Sequence, residues 1–191
     1  MHKDIEEVLI TEKQLQKKVE ELGRQITHEY QGRTMLLLCV LKGALMFMAD
    51  LARAIDLPLE MDFMVVSSYG SATESSGVVR IVKDLEEPIE GKHVLLVEDI
   101  VDSGLTLHYL LDVLRTRKPA SLRVCTLIDK VKEREKVVTP DYMGFQVADR
   151  FVVGYGLDYA QRYRNLPYIG VLKPEVYQDA LDGPDAPGKE R

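Results

Sequence analysis

One stretch constrains the fold of this 191-residue chain more than any other: Val94 to Thr106, VLLVEDIVDSGLT. The apolar run from His93 to Val97 reads as a strand buried on both faces, since a strand with one wet face would alternate apolar and polar residues. It ends in two adjacent carboxylates, Glu98 and Asp99. A short loop containing Asp102, Ser103, Gly104 and Thr106 then opens a helix that is predicted from Ser103 to Leu114. A second apolar strand follows at Leu122 to Ile128. Strand, helix and strand at this spacing specify a parallel α/β sheet, in which ligands bind at the carboxyl ends of the strands. A loop feeding a helix N-terminus presents free backbone N–H groups and a positive dipole end, which suits phosphate. Gly104 permits close backbone approach, and the Ser103 and Thr106 hydroxyls add donors. The acid pair does not suit an all-phosphate ligand; it suits a neighbouring group with hydroxyl donors, or a hard cation. Asp and Ser are also good helix caps, so the loop taken alone leaves a purely structural reading open.

The flanking segments fit the same architecture. Thr11 to about Tyr30 predicts a packing helix, with a capping-box pattern at Thr11 and Gln14 and with Leu15, Val19, Leu22 and Ile26 at helical spacing. Thr34 to Leu41 predicts a buried strand, Gly43 to Ile55 a second helix, and Met61 to Ser67 another strand. Ser68 to Gly77 (SYGSATESSG) is small and polar and predicts a mobile loop, after which Val78 to Val82 returns as a strand and makes a long hairpin. Phe151 to Tyr155 predicts a further strand. Asp182 to Arg191 lacks apolar residues and predicts a disordered tail, leaving residues 1–181 as one domain. The expected fold class is α/β, with a central, mostly parallel sheet flanked by helices.

Charge and cysteine usage narrow the function classes. A net charge of −6 argues against a nucleic-acid partner and does not exclude an anionic small molecule. No apolar run has the length needed to cross a bilayer, and Met1 to Glu7 do not read as a secretory signal. Cys39 and Cys125 each sit inside an apolar run and read as buried, reduced thiols. Together these features predict a cytoplasmic protein. His28, His93 and His108 lack metal-ligand spacing and read as structural or surface residues.

The Val94–Thr106 stretch resembles the phosphoribosyl pyrophosphate signature of the type I phosphoribosyltransferases. VLKGALMF, DFMVVSSYG, LLVEDIVDSGLTL, CTLIDK and FVVGYGLDYAQRYRNLPYIG resemble, in order, successive blocks of the hypoxanthine-guanine branch, and they cover most of Val40 to Gly170. The resemblance implies a small hood built from terminal segments, a mobile lid hairpin, and transfer of the phosphoribosyl group to a 6-oxopurine with magnesium, giving IMP or GMP. It implies that Asp102, Ser103, Gly104, Leu105 and Thr106 cradle the 5′-phosphate, and that Asp102 also lies near purine N7 as general acid and base. Glu98 and Asp99 would face the ribose hydroxyls and the magnesium, with Asp158 as a further magnesium ligand. Lys42 and Gly43 would form the pyrophosphate loop, with a cis peptide between Leu41 and Lys42, and Arg164 would contact pyrophosphate ahead of Arg162. Lys130 would meet O6 of the base; spacing alone makes it one solvated lysine in a run with Lys132, Arg134 and Lys136. Phe151 would stack on the purine, Val152 would meet its edge, and Ser68 and Tyr69 would start the lid. The family's members are commonly dimers or tetramers. Two other readings stay open: an RNA-binding regulator on the same fold, and a phospho-acceptor domain, which would not explain the phosphate cradle.

Overall fold

The computed structural model describes residues 1–69, 78–131 and 138–177. Its strands are β1 (Ile5–Ile10), β2 (Met35–Leu41), β3 (Leu59–Tyr69), β4 (Val78–Lys83), β5 (His93–Val101), β6 (Ser121–Val131), β7 (Tyr142–Ala148), β8 (Val152–Val153) and β9 (Ile169–Leu172). Helices α1 (Glu12–Glu29), α2 (Leu45–Ala54) and α3 (Leu105–Thr116) complete the main elements. Six strands form one sheet in the order β4-β3-β2-β5-β6-β7, and the other three form a small sheet in the order β1-β9-β8. All neighbours in the large sheet are parallel except β3 and β4, which pair as an antiparallel hairpin.

Alternation along the central strands explains why helices cover both faces. Leu37 and Cys39 of β2, with Leu95 and Val97 of β5, join one core with α1 and α2. Leu36, Leu38 and Val40, with Val94 and Leu96, join another with α3. Helix α1 opens with the capping box read from the sequence: the Gln14 N–H donates to Thr11 Oγ1 (3.3 Å) and the Thr11 N–H to Gln14 Oε1 (2.9 Å). Leu15, Val19, Leu22 and Ile26 are all buried on its inner stripe. Both cysteines are free and buried. Burial, and next the Glu98 charge, push the Cys39 thiol up to about 12, so it is no nucleophile at neutral pH. Among the described residues no helix is long and apolar enough to cross a membrane.

Several boundaries differ from the sequence expectation. The strand at His93 does not stop at Val97; it runs through the acid pair to Val101, because Glu98, Ile100 and Val101 keep their partners on β6. The following helix begins at Leu105 rather than Ser103, and α2 begins at Leu45 rather than Gly43. The strand expected over Phe151 to Tyr155 shrinks to Val152–Val153, since Gly154, Tyr155 and Gly156 all take positive φ and turn the chain away. Strands β1, β7 and β9 were not expected. The two terminal ones, β1 and β9, pair antiparallel and build the hood.

Candidate active site

The strand order reverses direction between β2 and β5, which makes their carboxyl ends a switch point where loops diverge and leave a crevice. Three of the segments singled out from the sequence end there. Lys42 and Gly43 follow β2, the Asp102–Gly104 loop follows β5, and Lys130 lies at the end of β6. The peptide between Leu41 and Lys42 is cis.

Two pockets adjoin at this edge. The first, about 200 Å³, is lined by Glu98, Ser103, Gly104 and Thr106. The second, about 280 Å³, is lined by Lys130, Phe151, Val152, Leu157 and Asp158. Asp99, Ile100 and Asp102 line both. The first pocket sits on the N-terminus of α3. Gly104 is the N-cap at φ 80°, a left-handed conformation that only glycine takes without strain, and no side chain caps the helix. The helix's first N–H groups are therefore turned toward the pocket, apart from that of Leu105, which donates to Ser103 Oγ (3.4 Å). Asp102 is not the cap of this helix.

The carboxylates differ in setting. Glu98 is buried, and burial followed by the neighbouring Asp99 charge pushes its carboxyl well above the ordinary range. Burial raises Asp99 to about 6, against the hydrogen bond it accepts from the Ile100 N–H (2.8 Å); nearby Arg164 lowers it and Asp158 raises it. Such a pair favours a ligand that brings positive charge or hydroxyl donors. Lys130 Nζ lies 3.3 Å from Asp102 Oδ2 and 3.1 Å from Asp149 Oδ1, with its side chain only 12% exposed. It is not a solvated lysine. Asp149 was missed in the sequence: it follows β7, whose pairing with β6 brings Val147 opposite Lys130.

On the far side, Asp158 accepts from the Gln161 N–H (2.8 Å) and pairs with Arg164 Nη2 (2.7 Å). Arg164 Nη1 donates to the Gly156 carbonyl (2.7 Å), and its Nε is buried with no hydrogen-bond partner among the described residues. Lys42 Nζ donates to Gln161 Oε1 (3.4 Å), so Gln161, also missed, ties the loop after β2 to the Asp158 turn. Arg162 instead lies over the Tyr163 ring, 5.8 Å from its centroid. Phe151 is exposed, stacked on Tyr177 at 4.9 Å and edge-on to Tyr159 at 5.5 Å. Val152 is buried. Ser68 and Tyr69 end β3 and pair in register with Val79 and Val78. The rest of the expected lid, residues 70–77, lies outside the described residues, as do Lys132, Arg134, Lys136 and the tail from Asp182.

A family model described as the phosphoribosyl transferase domain matches residues 8–160. The chain is 60% identical over 178 residues to the hypoxanthine-guanine phosphoribosyltransferase of Bacillus subtilis, covering 93% of this chain and 99% of that one. It is 58% identical over 179 residues to the bifunctional protein TilS/HprT of Listeria innocua, of whose length it spans 28%. A crystal structure of a hypoxanthine phosphoribosyltransferase from Staphylococcus aureus superposes with a TM-score of 0.90 at 51% identity, covering 93% of this chain and 96% of that one.

Proposed function

Because the chain belongs to the phosphoribosyl transferase domain family, we propose that it is a purine-salvage transferase that moves the 5-phosphoribosyl group from phosphoribosyl pyrophosphate to hypoxanthine, and to guanine, releasing pyrophosphate with IMP or GMP. One observation carries this reading: an anion cradle and a pocket with an ammonium group and an aromatic ring meet at Asp99, Ile100 and Asp102. A ligand that joins a sugar phosphate to a flat heterocycle spans both.

The cradle residues Ser103, Gly104, Leu105 and Thr106 hold the 5′-phosphate by backbone N–H groups and hydroxyls. Glu98 and Asp99 accept from the ribose hydroxyls. Lys130 donates to O6 of the base, and the carbonyl of a 6-oxopurine suits that ammonium where the amino group of adenine does not. Phe151 stacks on the ring and Val152 meets its edge. Asp102, within reach of Lys130, exchanges the proton at N7. Lys42, Gly43 and Arg164 hold the pyrophosphate, and Ser68 and Tyr69 begin the segment that keeps water from the cationic sugar. Among the described residues no three acidic, histidine or cysteine side chains cluster closely enough to hold a metal by themselves, so magnesium would rest chiefly on substrate oxygens, with single contacts from Asp99, Glu98 or Asp158. When bound, it would stabilise charge on the departing pyrophosphate.

The test is a nucleotide-forming assay with phosphoribosyl pyrophosphate, magnesium and each of hypoxanthine, guanine, xanthine and adenine. Hypoxanthine and guanine are expected to yield IMP and GMP with one pyrophosphate each, and adenine to yield almost no product. Preference for adenine, or no nucleotide from any base, refutes the reading.

A further inference from the structure

Tyr155 occupies an unusual place. Its φ is 50°, and its neighbours Gly154 and Gly156 stand at 102° and 103°. Side chains rarely adopt this conformation, and two glycines beside it show that the turn is built for residues without one. A tyrosine held there needs a compensating contact. It has one: Tyr155 Oη donates to Asp50 Oδ2 on α2 at 2.6 Å. Burial, and next that carboxylate, hold the phenol proton on well above its ordinary range. Asp50 is kept in place by Arg53 one turn along the helix.

The turn at Tyr155 lies against the pyrophosphate loop. A Cβ on Gly156 would come within 2.0 Å of the Gly43 carbonyl oxygen, and one on Gly43 within 1.6 Å of Asp99 Oδ2. Gly156, Gly43 and the Asp99 carboxylate are thus layered in direct contact. Downstream of the turn, Gly156 is bonded to Arg164 twice, by its own N–H to the Arg164 carbonyl (2.9 Å) and by its carbonyl from Arg164 Nη1 (2.7 Å). Moving Tyr155 therefore moves Arg164 and its partner Asp158 relative to Gly43.

We infer that Tyr155 is a positioning residue: through Asp50 it clasps the turn carrying Asp158 and Arg164 down on the Lys42–Gly43 loop and so sets the pyrophosphate end of the site. The base pocket shares Leu157 and Asp158 with this turn, but Lys130, Phe151 and Val152 line it from outside the clasp. The inference rests on the transferase reading above.

The test compares the parent with Tyr155→Phe, Asp50→Ala and Asp50→Asn in steady-state kinetics, with thermal midpoints to establish that each is folded. Tyr155→Phe and Asp50→Ala are expected to raise KM for phosphoribosyl pyrophosphate by about fivefold to tenfold, less than the roughly tenfold to hundredfold of a direct hydrogen bond to a charged group because the clasp acts on the site indirectly. KM for hypoxanthine should rise by less than half as much, because Lys130, Phe151 and Val152 line that pocket from outside the clasp. Asp50→Asn keeps an acceptor oxygen and should restore values near the parent's. The double variant Tyr155→Phe with Asp50→Ala should be no worse than either single one. If both Michaelis constants move together, or neither moves while the midpoint falls, Tyr155 is a stability residue only and the inference is overturned. A parent that forms no nucleotide overturns the transferase reading, and this inference with it; a working parent with an unmoved ratio overturns the inference alone.

Discussion

Gly43→Ala isolates the packing of the site with little ambiguity. Gly43 is not at positive φ, so its need for glycine is one of space. The added Cβ would lie 1.6 Å from Asp99 Oδ2, where real contacts stay beyond 3.0 Å, so one group must shift by at least the difference of 1.4 Å. Gly156 packs directly against the Gly43 carbonyl, which restricts retreat of the loop. The Asp99 carboxylate must therefore turn and give up the hydrogen bond from the Ile100 N–H. Overpacking of this kind costs about 1–3 kcal/mol and the lost hydrogen bond about 1 kcal/mol more. With a urea m value of about 2–3 kcal/mol/M, the unfolding midpoint should fall by about 1 M at unchanged m. Gly32→Ala is the control: it meets nothing within 4 Å but stands at φ 73°, and its cost of about 1–2 kcal/mol comes from conformation alone. In an Asp99→Ala background the Gly43→Ala penalty should largely vanish, while the Gly32→Ala penalty stays. An equal Gly43→Ala penalty in both backgrounds would refute the crowding argument.

Other outcomes follow from the site's charges. Lys130→Ala should lower kcat/KM for hypoxanthine and guanine by about 1.5–3 kcal/mol with KM for phosphoribosyl pyrophosphate little changed; unchanged constants for both bases would remove Lys130 from the base site. Without magnesium or substrate, burial keeps the proton on Asp99 up to about 6, so the folded state holds more protons than the unfolded one and this residue's contribution to stability falls as pH rises from about 4 through 6. Asp99→Asn should thus match the parent near pH 4 and exceed it by about 1–3 kcal/mol above pH 7 in denaturant titrations. A variant less stable than the parent at the higher pH would contradict that sign.

The parts of the molecule built from uninterrupted apolar runs were legible in the sequence. Strands β2, β5 and β6 and the capping box of α1 come from local patterns that tertiary contacts reinforce. Strand β7, YMGFQVA, was not legible, because it is a partly exposed edge strand interrupted by Gly144, whose missing side chain lets it approach the Leu127 carbonyl. Losing β7 also hid Asp149, since only its pairing with β6 brings that carboxylate to Lys130. Strand β1, IEEVLI, has a mostly exposed face and is defined by a partner more than 150 residues away. At the crevice, Glu98, Asp99 and the Asp102–Thr106 loop stood out by their spacing, whereas Lys42, Lys130 and Arg164 were singled out only through the family resemblance. Their roles depend on which loops the sheet brings together, and no local pattern encodes that.

The most direct test of the central claim, that the two pockets form one active site joined by Asp102, is a single-turnover measurement on Asp102→Asn. Gly104 rather than Asp102 caps α3, and the asparagine preserves size and polarity, so folding and phosphoribosyl pyrophosphate binding should survive. Rapid quench of enzyme in excess over hypoxanthine, or over guanine, reads the chemical step without interference from slow product release. If Asp102 exchanges the purine proton, the single-turnover rate should fall by about 10²–10⁴-fold. A rate within a few-fold of the parent would contradict the account and leave Asp102 a bystander between the two pockets.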